Sequence, residues 1–374
     1  MASDIQLYVL RHSKFAYMPM QRACEAIAKL YDFNPDSVRG RINRVDKIKA
    51  NIALLRKTMH DKTDDISPSV ARQQVIVEQS KKRFEEWKQS RHGKQTFGMF
   101  VSDAHIPYAR MDAVELMLRI GEDVKPHAVS AFNDALDNNG YKHPDKRSAR
   151  ALLWSSDDEY NKRAETAWNA SLHSVLHDDG VLVDVRGNHD NYWYGNQREN
   201  VPQAAESNIA KHMESLYKQG VLQFSRGHDT DEPPVWMAPR LVWWHGQFAA
   251  RSATANAANS IAQFMENGIA SNVVVGHTHR PATIPGALVK QPGVTFYNNG
   301  CLCRLDSLPF MKRKPFAWQL AVTVCEWQTY GSIADDYVKC TVVTFDKRGN
   351  HLTARHAGKE YRVKYDDKVV DDYK

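Results

Sequence analysis

The sequence lacks the features that would place it in several familiar classes. No window reaches eighteen uninterrupted apolar residues, so no segment reads as a membrane span and no membrane partner is expected. The opening MASDIQLYVLRHSK has no basic stretch followed by an apolar core and a small-residue cleavage site, so a secretory leader is not expected. Cysteine is scarce and odd in number. The five residues, Cys24, Cys301, Cys303, Cys325 and Cys340, include no C-x-x-C pair. A disulfide framework and a zinc ribbon are therefore not expected, and a reducing cytoplasm is the expected location. Glycine is nearly missing from the first quarter, where Gly40 is the only one before Gly93. That quarter also shows no strand-like alternation, so it reads as helical.

What is present suggests a globular chain of two parts. Its 374 residues, 42% hydrophobic and 25% charged, exceed one compact core and fall short of three. The net charge of +6 divides unevenly: residues 1–94 hold 19 basic and 11 acidic residues, a balance of +8, and the remaining 31 and 33 give −2. A basic segment joined to a near-neutral body points to a polyanion partner, most often nucleic acid, or else to a solvated helical face.

Within QRACEAIAKLYDF, Ala23, Ala26, Ile27, Leu30 and Tyr31 recur at helical spacing. Asn34 then offers an N-cap, with Pro35 at the first helical position, where its missing N–H costs nothing. The second helix turns Val38, Ile42 and Val45 inward and Arg39, Arg41 and Arg44 outward. Two short helices around a tight polar turn resemble a helix-turn-helix, without that family's glycine in the turn. The resemblance implies a DNA-binding domain over 1–66, with the three arginines as contacts. Its alternative is a helical packing or dimerisation module, which would make the chain a homo-oligomer. From Ser67 the apolar residues Val70, Val75, Val77, Phe84 and Trp87 are too sparse for a core helix, so 67–94 reads as a connecting helix.

From Gln95 the pattern changes. The apolar runs TFGMFVS, AVSAFN, VLVDVR, LVWWH and NVVVGH alternate with helical stretches. An α/β body over 95–374 follows, with function expected at the carboxyl ends of its strands. The tail from about Phe316 alternates as LAVTVCEW, YVKCTVVTF and EYRVKY, which reads as a closing antiparallel region. The polar helix within DDEYNKRAETAWNASLHSVLH reads as an insertion near the site.

Each apolar run ends in residues with metal-ligand chemistry. In order they are Asp103 and His105; Asn133, Asp134 and Asp137; Asn188, His189 and Asp190; His245; and His277 with His279. In an extended segment residues i and i+2 point the same way, so Asp103/His105 and His277/His279 can each present two ligands together. Each short pattern is common by itself; five in order after apolar runs are not. A shell of Asp, Asn and His without thiolate suits Mn2+, Fe2+, Ni2+ or Zn2+.

These residues resemble the metallophosphoesterase, or calcineurin-like phosphoesterase, superfamily, whose pattern is D-x-H, G-D-x-x-D, G-N-H-(D/E), H and G-H-x-H. The match runs from about Phe97 to Leu302, and Phe296-Tyr297-Asn298-Asn299-Gly300 is similar to the strand and turn that follow the last motif. The resemblance implies a β-sandwich flanked by helices and two divalent ions, Mn2+ foremost. One ion would lie on Asp103, His105, Asp134 and His279, the other on Asp134, Asn188, His245 and His277. It further implies a metal-bridging hydroxide as nucleophile, His189 as the acid at the leaving group, Asp190 orienting His189, and Arg280 on a phosphate oxygen. Asn133 departs from the family's glycine, though asparagine tolerates positive φ. The function expected is phosphoester hydrolysis, with DNA as the leading substrate. A phosphatase or small-nucleotide phosphodiesterase is the alternative, and a DNA-binding regulator on a phosphoesterase scaffold is a third reading.

Overall fold

The computed structural model describes residues 20–31, 34–38, 68–137, 158–200, 204–223, 234–246, 253–263, 265–266, 269–290, 292–305, 318–330 and 335–366. The chain divides into two compact units, Met1–Ser67 and Pro68–Lys374.

In the first unit, α1 (Met20–Tyr31) buries Cys24, Ile27 and Ala28, an i, i+3, i+4 stripe. Leu30, expected on that stripe, is 56% exposed. Asn34 caps the next turn as its chemistry suggests. Its Oδ1 accepts the Asp36 N–H at 2.8 Å, and its carbonyl accepts the Val38 N–H at 3.1 Å. Val38 is buried, as expected. Arg39, Arg41 and Arg44 lie outside the described residues.

The second unit opens with α2 (Pro68–Ser90), and here the expectation of a connecting helix fails. Ile76, Val77, Phe84 and Trp87 are buried in the body, together with polar Gln73 and Ser80. Hydrogen bonds make the polar burial tolerable: Gln73 Nε2 donates to the Glu206 carbonyl at 2.9 Å and to its carboxylate at 2.8 Å. Counting apolar residues alone underestimates such a face.

Next come β1 (Thr96–Phe100), α3 (Met111–Val124), β2 (Ala128–Ser130), α4 (Asp158–His173), β3 (Val181–Val183), α5 (Asn188–Asn200), α6 (Ala205–Lys218) and β4 (Val221–Leu222). A second series follows: β5 (Val235–Ala238), β6 (Leu241–Trp244), α7 (Ala253–Gln263), the hairpin β7 (Met265–Glu266) and β8 (Ile269–Ala270), β9 (Asn272–Val275), β10 (Ala282–Pro285) and β11 (Thr295–Asn298). The chain closes with β12 (Ala321–Gln328), β13 (Tyr337–Thr344), β14 (Asp346–Arg348), β15 (His351–His356) and β16 (Lys359–Lys364).

One sheet has the order β13-β12-β1-β2-β3-β4, with β1 to β4 parallel and β12 and β13 antiparallel. The other has the order β10-β11-β9-β6-β5, with β6, β9 and β11 parallel. The antiparallel β14-β15-β16 sheet packs against α3. Two-residue periodicity sorts the side chains. Met99 points to the layer of α3, α4 and α6, while Phe100 joins Trp243, Val274 and Trp327 between the sheets. Trp243 stands edge-on to Phe100 with ring centres 5.7 Å apart, and it presses on Gly98, where an added Cβ would lie 2.7 Å from the indole. Only glycine fits there. Removing the Trp243 side chain would cost about 3–5 kcal/mol, the usual range for a buried tryptophan. On the far side of the second sheet, Ala257 of α7 packs with Val242, Trp244 and Val273.

The α4 segment, expected as an insertion near the site, is instead a core crossover. Parallel β2 and β3 need such a connection. Its Trp168 and Leu172 are buried, and Trp168 Nε1 donates to the Ala131 carbonyl at 2.8 Å. Among the described residues no helix is long and apolar enough to cross a membrane.

Candidate metal centre

The five motif strands are β1, β2, β3, β6 and β9, and their carboxyl ends converge from both sheets. The segments beyond them are not extended, contrary to expectation. Asp103, His105, Asp134, His277 and His279 adopt left-handed backbone with φ of 57, 49, 57, 65 and 58°, and Asn133 has φ 92°. Asn, Asp and His tolerate this region better than other non-glycine residues, so the turns and the chemistry ask for the same residue types. His277 and His279 accordingly part company and serve different clusters.

The first cluster is Asp103, His105 and His279, all buried. His279 Nε2 lies 2.9 Å from Asp103 Oδ1 and 3.3 Å from His105 Nε2. The second is Asp134, His245 and His277. There His245 Nε2 lies 3.1 Å from Asp134 Oδ2, 3.1 Å from Asn188 Oδ1 and 3.3 Å from His277 Nδ1. The clusters adjoin, because the His277 N–H donates to Asp103 Oδ2 at 3.0 Å. In each, ring nitrogens face one another and a carboxylate, gathering more lone pairs than protons. Such a donor set fits a divalent cation.

Electrostatics separates the two. Burial works to lower the His279 pKa, but the Asp103 carboxylate overcomes it and holds it up at about 10. Burial lowers His277 to about 4, aided by neighbouring His245, and His105 to about 3, aided by His189. For Asp103, burial is outweighed by His279 and His245, and its pKa falls to about 2.

His189 sits in the first turn of α5, where its N–H, one of the donors a helix start leaves unpaired, meets Asp134 Oδ1 at 2.8 Å. Its ring stands edge-on to His105, with centres 4.6 Å apart. Burial opposes its charged form, yet Asp134 and then Asp137 raise its pKa. The ring's partner is not Asp190, as expected, but Asp137, whose Oδ1 lies 2.8 Å from His189 Nδ1. Asp190 is occupied elsewhere. Its Oδ2 accepts the backbone N–H groups of Asn133, Asp134 and Gly187 at 3.1, 2.9 and 3.0 Å, lacing the turns after β2 and β3 together. Burial, with Asp134 nearby, raises its pKa to about 7. Gly187 is needed at this junction, because a Cβ there would fall 2.1 Å from Asp134 Oδ1.

Some contributors were not foreseen. The Asn133 side chain reaches His245 Nδ1 at 2.6 Å, and Cys303 Sγ lies 3.9 Å from His279 Nδ1. Asp137 was visible as the second aspartate of its motif; nothing in the sequence marked Cys303. Arg280 is exposed beside His279. A separate group, His127, His177 and Asp179, lies at the opposite, amino ends of β2 and β3. There Asp179 pairs with Arg91, and His127 Nδ1 accepts the Phe97 N–H at 3.2 Å.

Comparison of the chain with protein-family models, curated proteins and solved structures finds no match.

Proposed function

We propose that this protein is a dinuclear metal-dependent phosphoester hydrolase of the metallophosphoesterase type, acting on nucleic acid. The observation that carries the proposal is the pair of adjoining buried Asp/His clusters, Asp103/His105/His279 and Asp134/His245/His277. Asp103, His105, Asp134 and His279 would hold one divalent ion, and Asp134, Asn188, His245 and His277 the other, with Mn2+ the first metal to test. When bound, such ions supply an activated water and screen phosphate charge. His189, whose pKa Asp134 and Asp137 raise against the effect of burial, would deliver a proton to the departing oxygen. Asp137 holds the donating ring in place. Exposed Arg280 would meet a phosphate oxygen.

Support for a nucleic-acid substrate is the concentration of positive charge in residues 1–94, +8 against −2 for the rest. Half of that excess, +4 from 12 basic and 8 acidic residues, lies in the separate unit Met1–Ser67, and a basic module tethered to a hydrolase raises the local concentration of a polyanionic substrate.

The deciding experiment gives the purified protein Mn2+ and a panel of single-stranded DNA, duplex DNA, RNA and bis-p-nitrophenyl phosphate. No hydrolysis of any ester with Mn2+, Fe2+, Ni2+ or Zn2+ would sink the proposed chemistry. Cleavage of the small diester with no binding of polymer would instead favour a phosphatase or small-nucleotide phosphodiesterase. Replacing Arg39, Arg41 and Arg44 by alanine should weaken DNA binding and flatten its salt dependence by about one unit per lost phosphate contact. Hydrolysis of the small diester should not change. Unaltered DNA binding at physiological salt would remove the three arginines from that role.

A further inference from the structure

Asn133 stands where a glycine would satisfy the backbone, at φ 92°. Its side chain is nonetheless fully buried and used at both ends. Nδ2 donates to the Val101 carbonyl at 3.0 Å, and Oδ1 lies 2.6 Å from His245 Nδ1. The first bond fixes the amide, because a carbonyl can only accept. The amide oxygen must then face His245, and since it too can only accept, His245 Nδ1 must carry a proton. The lone pair of the neutral ring is left on Nε2, facing Asp134 Oδ2, Asn188 Oδ1 and His277 Nδ1.

Asp134 Oδ2 and Asn188 Oδ1 are themselves acceptors, each 3.1 Å from His245 Nε2. Left alone, they would draw the proton to Nε2 and close that nitrogen to a cation. We infer that Asn133 is a positioning residue that holds the His245 proton on Nδ1 and so keeps Nε2 open as a ligand of the second cluster. The inference rests on the reading of Asp134, Asn188, His245 and His277 as a cation site. It gives the asparagine a role that glycine at the same turn could not fill.

The test uses the full chain titrated with Zn2+, comparing the unsubstituted protein with Asn133→Gly, which keeps the turn's preferred backbone and removes only the amide. Zinc is diamagnetic, so imidazole nitrogen NMR can be read on the same samples. The unsubstituted protein should bind two ions and show a slowly exchanging Nδ1–H on His245. In Asn133→Gly that signal should be lost, and affinity for one of the two ions, the one on the His245 cluster, should fall about 10- to 100-fold, the usual cost of losing a ligand's outer partner. Asn133→Asp, which can turn an oxygen to His245 but loses the bond to the Val101 carbonyl, should recover part of both. If the unsubstituted protein takes up fewer than two ions, the cation site itself is wrong and the role of Asn133 falls with it. If two ions bind and Asn133→Gly matches the parent, or His245 Nδ1 carries no proton, the cation site stands and the role of Asn133 alone is overturned. Should Asn133→Gly fail to fold, the Nδ1 signal of the unsubstituted protein decides.

Discussion

The two halves of the centre use the same residue types but start from opposite protonation. His279 faces the Asp103 carboxylate and is held up at about 10; His277, two residues earlier, faces His245 and is lowered to about 4 by burial and that neighbour. Asp103, His105 and His279 are at most 3% exposed, whereas His277 is only partly buried. The first half is thus closed and internally charge-paired, and the second is more open, with a neutral ring. The neighbour each histidine is given, rather than its place in the motif, decides its charge. A cation entering the first half must expel a proton that the second half does not hold on His277.

Asp134→Ala should break this contrast most completely, since its carboxylate touches His245 with one oxygen and receives the His189 N–H with the other. Hydrolysis should vanish and bound metal should fall well below two equivalents. Two full equivalents in that variant would contradict its place in the centre. His189→Ala should leave both halves loaded and lower turnover about 10²- to 10⁴-fold. The loss should shrink when the leaving group is p-nitrophenolate, which needs no proton. Equal losses on good and poor leaving groups would take His189 out of the acid role.

A subtler effect separates the halves by pH. Because His279 is protonated below about 10, affinity for the ion it holds should rise with pH, up to about tenfold per unit. His277 loses its proton near 4, so its ion should show little of that dependence above neutrality. Calorimetric titrations in buffers of different ionisation heat would count the protons released. Equal release for both ions would erase the contrast. The smallest change is expected from Asp137→Asn, about tenfold in turnover with metal content intact. Since Asp137 helps raise the His189 pKa, its loss should also move the alkaline fall in activity to lower pH. An unshifted profile would show that Asp137 does not help keep His189 charged.

Much of this centre could be read from the sequence because apolar runs fix the strands and the residues after them fix the chemistry. Asp103, His105, Asp134, His245, His277 and His279 all lie at those ends, and the structure gathers them into two clusters. Pairings across loops could not be read. Asp190 adjoins His189 in sequence, but helix α5 turns its carboxylate toward the N–H groups of Asn133 and Asp134, leaving the imidazole to Asp137, 52 residues away. The burial of α2 was hidden for a similar reason: Gln73 looks like a surface residue until Glu206 appears beside it. Asn133 was legible as a turn residue and illegible as a partner of His245, which lies 112 residues further on.

The strands that carry these side chains belong to different sheets: Asp103, His105, Asp134 and Asn188 hang from one, His245, His277 and His279 from the other. An ion that needs ligands from both recognises only the docked pair of layers. Loading the centre should therefore act as a clamp on the whole sandwich, adding about 2.7 kcal/mol when the ion is at a hundredfold excess over its Kd. Thermal denaturation followed with and without a chelator would then report on the centre with no substrate present. Loosening the seam where Trp243 meets Gly98 should lower the melting temperature of the loaded and the chelated protein alike.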